Sequence, residues 1–128
     1  MTGKKILIIE DEGLIAFAMS ELLEHMGFQV IETLYAGEYV LPLLEKSDKP
    51  DLILIDIGLA GSIDGIETAR LIRQKFSIPL IFITAYRSEE IFERLREFVL
   101  YQVIHKPFSN DDLLYQVNKA ICPTRIEL

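Results

Sequence analysis

Leu52-Ile53-Leu54-Ile55-Asp56 sets aliphatic side chains in an unbroken row and closes them with a carboxylate. A short, continuous apolar run predicts a strand covered on both faces, as in parallel sheets flanked by helices. Three more runs share this form. Ile6–Ile9 leads into Glu10-Asp11, Leu80–Ile83 into Thr84, and Val103-Ile104-His105 into Lys106-Pro107. In open parallel sheets, ligands bind just beyond the carboxyl ends of the strands, where the strand order reverses. If these strands lie side by side, Glu10, Asp11, Asp56, Thr84 and Lys106 gather at one rim.

The segments between the runs complete an alternating strand–helix chain. Strand one is expected near Lys5–Ile9, followed by a helix with Ile15, Met19, Leu22, Leu23 and Met26 on one stripe, ending at Gly27. A more polar second strand fits Gln29–Leu34. The second helix, near Gly37–Lys46, contains Pro42 and must start late or kink. After strand three, Leu52–Asp56, Asp64 and Glu67 have capping-box spacing ahead of a third helix. That helix carries Ile66, Ala69, Arg73 and Phe76 along one side, and Arg73 can lay its stem on the core edge. Strand four is Leu80–Thr84, helix four about Glu89–Phe98 and strand five about Gln102–His105. Ser109 is a plausible cap for a last helix burying Leu113, Leu114, Val117 and Ile121.

Polar residues in strands two and five mark them as edges. With right-handed crossovers, the expected architecture is an α/β doubly wound parallel sheet in the order 2-1-3-4-5, helices on both faces. This order puts Asp11 beside Asp56 at the reversal point.

Composition narrows the function classes. The 128 residues fit one domain, and at 50% apolar they can bury a core. We expect that domain over residues 1–122, with 123–128 a tail or the start of a linker. A net charge of −7 argues against direct nucleic-acid binding, which needs clustered cations. No apolar run approaches the roughly 20 residues that span a bilayer, and the first residues lack a signal-peptide pattern, so a cytoplasmic location without a membrane partner is expected. Cys122, the one cysteine, cannot form an internal disulfide and reads as a packed or idle thiol.

The rim residues suggest phosphate chemistry. Asp11 and Asp56 form a hard-oxygen pair of the type magnesium favours. A carboxylate can also serve as a nucleophile, forming an aspartyl phosphate. Phosphoryl transfer mainly requires positioning and neutralisation of oxygen charge. Lys106 can act as a point charge on one phosphate oxygen, and the Thr84 hydroxyl can donate to another. Singly, each residue also suits a bland role: strand former, turn residue or solvated lysine. Their joint arrival at one rim favours the functional reading.

Ile9-Glu10-Asp11, Leu54-Ile55-Asp56-Ile57, Ile83-Thr84-Ala85 and Lys106-Pro107-Phe108 together resemble the motifs of response regulator receiver domains of two-component systems, from Lys5 to about Ala120. The resemblance implies a flavodoxin-like fold and makes Asp56 the phospho-accepting residue. Asp11 would bind Mg2+ directly, Glu10 would assist through water, and the Gly58 carbonyl would be a further ligand. Thr84 and Lys106 would read the phosphate, and the Lys106–Pro107 bond would be cis. The implied activity is self-catalysed phosphotransfer and autodephosphorylation in a phosphorelay. The implied partners are a sensor histidine kinase or histidine phosphotransfer protein, and a downstream protein on the helix 4–strand 5–helix 5 face. A phosphorylation-linked homodimer is a further implied partner.

Departures from the family pattern are local. Glu10 stands where Asp is commoner, the loop after Asp56 lacks the usual proline and runs one residue longer, and Val103 replaces the usual Tyr or Phe. A ring movement would then use Tyr101 or Tyr86, or give way to loop and helix shifts. Tyr86 could hang over Asp56 or pack on a helix. His25 and His105 lack metal-ligand spacing and read as incidental. The alternatives are the receiver segment of a larger DNA-binding regulator or hybrid kinase, a phosphate-independent binding module, and a small flavin protein. The last lacks a clear phosphate-binding loop after strand one.

Overall fold

The computed structural model describes residues 3–46, 49–98 and 101–121. Cys122 and the expected tail 123–128 lie outside the described residues. Strands β1 (Lys5–Ile9), β2 (Gln29–Leu34), β3 (Leu52–Asp56), β4 (Leu80–Thr84) and β5 (Tyr101–His105) form one sheet in the order β2-β1-β3-β4-β5. Each adjacent pair is parallel, so the architecture is the expected doubly wound one.

Side-chain alternation along the strands feeds two cores. Leu7, Ile9, Ile53, Ile55, Leu80 and Phe82 pack on one face against helices α2 (Val40–Lys46), α3 (Gly65–Lys75) and α4 (Glu89–Leu95). Ile6, Ile8, Leu52, Leu54, Ile81 and Ile83 pack on the other against α1 (Gly13–His25) and α5 (Asn110–Ile121). Every residue of β3 and β4 is buried, because each has neighbours on both edges and both faces. β2 and β5, the edges, are half-exposed. Among the described residues, no helix is long and apolar enough to cross a membrane.

Helix ends follow local chemistry. A 3-10 turn at Gly37–Tyr39 precedes α2, so Pro42 falls in the first turn, where its missing N–H forfeits no helical bond. The Asp64 carboxylate caps α3 by accepting from the Glu67 N–H at 2.9 Å. The reciprocal half of that capping box is taken elsewhere, because Glu67 pairs with Arg70. Ser109 caps α5 by accepting from the Asp112 N–H at 3.0 Å, and Asp112 returns the bond to the Ser109 N–H at 3.3 Å. Arg73 does more than cover the core edge, since its guanidinium donates to the Ile78 carbonyl at 3.2 Å.

Three boundaries differ from expectation. α4 stops at Leu95 rather than Phe98, because Phe98 leaves the helix to pack edge-on against Phe82 at 5.3 Å. β5 begins one residue early, at Tyr101, whose ring joins the same aromatic group. Met26 lies past the end of α1 and is half-exposed rather than on its buried stripe.

Candidate functional site

The strand ends meet as the topology requires. In the β1–β3 register Ile9 faces Ile55, which carries Glu10 and Asp11 to the level of Asp56. Among the described residues four polar or charged side chains are buried, and three of them, Glu10, Asp56 and Thr84, stand at this rim. Burying polar groups is costly unless they are paired, so a concentration at one place needs a chemical reason.

Asp56 is held from both sides. Its Oδ1 accepts from the Gly58 N–H at 3.0 Å, and its Oδ2 lies 3.3 Å from Lys106 Nζ. The same ammonium stands 3.3 Å from Glu10 Oε1. Asp11 Oδ2 accepts from the Ala60 N–H at 2.9 Å and so fastens the β3–α3 loop over the site. Glu10 Oε2 accepts from the Glu12 N–H at 3.1 Å. The Thr84 hydroxyl oxygen accepts from the Tyr86 N–H at 2.8 Å.

Electrostatics record the crowding. Burial, reinforced by the charge of Asp56, pushes Glu10 up to about 7, against weaker lowering by the Glu12 N–H and Lys106. Burial alone would lower Lys106, but the charges of Asp56 and Glu10 outweigh it and hold its pKa above the ordinary value. The residues fit a divalent cation on chemical grounds. One oxygen each from Glu10, Asp11 and Asp56 can lie within 4.8 Å of one another. Glu10 Oε1 is buried and accepts no hydrogen bond, despite its proximity to Lys106. Hard oxygen donors of this kind suit magnesium, which retains waters and takes the remainder of its shell from phosphate.

A match to the response regulator receiver domain covers residues 6–118. The chain belongs to that family. Receivers act in two-component signalling, accept phosphoryl groups and bind Mg2+ in an acidic pocket. This receiver is 31% identical over 118 residues to the transcriptional regulatory protein PdtaR of Mycobacterium tuberculosis, covering 92% of this chain and 57% of that protein. It is 33% identical over 117 residues to the phyllosphere-induced regulator PhyR of Methylorubrum extorquens, covering 91% of this chain and 43% of that one. The chain thus spans about half the length of the curated relatives it matches. Among solved structures, it resembles the receiver domain of a modulated diguanylate cyclase from Desulfovibrio desulfuricans, at TM-score 0.83 and 32% identity, covering 91% of this chain and 92% of that one. The Erythrobacter litoralis PhyR receiver domain aligns at TM-score 0.81 and 30% identity over 98% of each chain.

The receiver geometry brings together every site residue expected from sequence: Glu10, Asp11, Asp56, Gly58, Thr84 and Lys106. The Lys106–Pro107 bond is cis, as the resemblance implies. Gly65 was not among those residues, and its importance is steric. A Cβ there would sit 2.1 Å from the Asp56 carbonyl oxygen, so only glycine lets α3 start against this strand end. The signal lay in its place, directly after the capping Asp64. His105 remains outside the acidic group. Its ring packs edge-on against Phe92 at 6.3 Å, and burial, then the charge of Arg87, lowers its pKa.

Proposed function

We propose that this receiver accepts a phosphoryl group on Asp56 from a phosphohistidine of a sensor histidine kinase or histidine phosphotransfer protein. The observation that carries the reading is the buried Asp56 carboxylate, 3.3 Å from Lys106 and grouped with the oxygens of Glu10 and Asp11 at the sheet reversal. An Asp56 oxygen would attack phosphorus while the P–N bond to the donor imidazole breaks and its electron pair returns to that nitrogen. Lys106 would neutralise one phosphoryl oxygen, and the Thr84 hydroxyl would donate to another. Asp11, Asp56 and the Gly58 carbonyl would hold Mg2+ directly, and Glu10 would hold it through water. Bound there, Mg2+ supplies charge stabilisation for the transferring phosphoryl oxygens. Later attack of water would return the free carboxylate.

Two surfaces support a partner at each step. A groove of about 580 Å³ between α1 and the start of α5, lined by Leu14, Leu22, Pro107 and Phe108, opens beside Lys106 and would seat the donor. Output would run through the face of α4, β5 and α5, where Phe92 and Tyr115 are exposed. A phosphorylation-linked homodimer would use this face as well. The relatives' length favours a second reading, in which the chain is the receiving part of a longer regulator; the size of the native protein in a lysate decides it.

The test uses Mg2+ and acetyl phosphate as a small donor. Intact mass should rise by one phosphoryl group, and Asp56→Asn should remain unlabelled. Equal labelling of that variant would overturn the assignment.

A further inference from the structure

The ring of Tyr86 rests where a side chain at position 58 would otherwise be. A Cβ built on Gly58 would lie 3.3 Å from Tyr86 Cε2, 3.7 Å from its hydroxyl oxygen and 3.8 Å from Asp56 Oδ1. Ring and carboxylate therefore flank one small space, and the glycine keeps that space open. The remainder of the ring is exposed, so it stands between the Asp56 oxygen and solvent. Its backbone is anchored as well. The Tyr86 N–H donates to Thr84 Oγ1 at 2.8 Å, and that hydroxyl is the group proposed to turn toward the phosphate.

The other candidate ring is held away from the site. Tyr101 pairs with Leu80 in the β4–β5 register, whereas Thr84 pairs with His105 at the opposite end. At roughly 3.3 Å per residue, this is about 13 Å along the strand. The Tyr101 ring also packs edge-on against both Phe82 and Phe98, at 5.8 and 6.5 Å. Val103 is too short and too restricted at χ1 to reach the rim.

We propose that Tyr86 is a lid on the phosphorylation site, its ring seated on Gly58 and its backbone tied to Thr84, which sets how long the phosphoryl group persists. The inference rests on Asp56 phosphorylation. Hydrolysis of an aspartyl phosphate needs water to attack phosphorus from the side opposite the Asp56 oxygen, with the P–O bond breaking, the carboxylate leaving and the water proton passing to the product phosphate. A ring over the phosphoryl group slows that attack by excluding water, without touching the reacting atoms. Tyr86 is thus a positioning residue, distinct from the carboxylates that bind and react.

The experiment labels the full chain with acetyl phosphate and Mg2+, removes the donor and follows decay of the added mass. Tyr86→Ala should shorten the lifetime by about threefold or more, and Tyr86→Phe, which keeps the ring, should stay within about twofold of wild type. Magnesium affinity, read by titration, should match in all three proteins, whereas a damaged fold would lower it. An unchanged or longer lifetime in Tyr86→Ala overturns the lid, as does a loss of magnesium affinity that accounts for the faster decay. Equal acceleration in Tyr86→Phe would assign the effect to the hydroxyl and overturn the ring's role. A wild-type chain that takes no label removes both the lid and the phosphorylation beneath it, whereas a labelled chain with unaltered decay removes only the lid.

Discussion

β3 and β5 end at the same rim and face opposite demands. β3 is buried along its whole length and delivers Asp56; β5 is half-exposed at the sheet edge and leads to Lys106. A strand packed on all sides can hold a carboxylate in a costly place, because its neighbours leave it no other position. An edge strand has solvent on one side and room to adjust. The site therefore places its acceptor on rigid structure and its charge-reading lysine on adjustable structure. Chemistry needs the first arrangement, and a switch needs the second.

The comparison breaks if the two strands prove equally important to stability. Leu54→Ala removes a fully buried side chain and should cost about 3 kcal/mol, whereas Val103→Ala, on the half-buried edge, should cost about 1 kcal/mol. Urea titration of both variants measures the gap, and equal midpoint shifts would end the distinction.

A pH titration sharpens it at the central strands. Glu10 has a folded pKa of about 7 against an ordinary value of 4.5. The folded state holds that proton more tightly, so its stabilising contribution is complete below the ordinary value and is lost as pH rises through about 7. In chelator, melting temperature should fall from about pH 5 to about pH 8, and added Mg2+ should flatten the fall by giving the ionised carboxylate a partner. Glu10→Gln should remove most of this slope. A slope retained in that variant would place its source elsewhere.

The smallest effect is expected at the edge itself. Val103→Tyr should leave magnesium affinity within about twofold of wild type, because residue 103 touches no oxygen of the acidic group. The added ring should instead change how a phosphoryl mimic such as beryllofluoride alters self-association or partner binding. Identical responses in both proteins would show that position 103 plays no part in output.

The fold was legible because its signals were redundant. Ile6–Ile9, Leu52–Ile55 and Leu80–Ile83 read as buried strands from composition alone, and their polar endings located the rim. Helix ends were harder where tertiary contacts outweighed periodicity. Glu89–Phe98 keeps helical spacing, yet Phe98 gains more from Phe82 and Tyr101 than from another helical turn. Glu67 had the spacing to complete a capping box but was captured by Arg70, a competition that spacing does not show. The carboxylates and the lysine were legible because their side chains declare their chemistry. Gly65 was not, since its role is the absence of a side chain beside Asp56. Tyr86 allowed two readings until the space above Gly58 decided between them.

The shared ammonium of Lys106 carries a consequence in units of valence. Glu10, Asp11 and Asp56 bring three negative charges when ionised, and Lys106 returns one positive charge. The remainder equals the charge of one divalent ion. A monovalent cation of suitable size would leave the pocket underfilled, and a trivalent one would overshoot. The lysine thus acts as a counterweight that tunes the pocket to a single oxidation number, a selectivity that coordination distance alone would not provide.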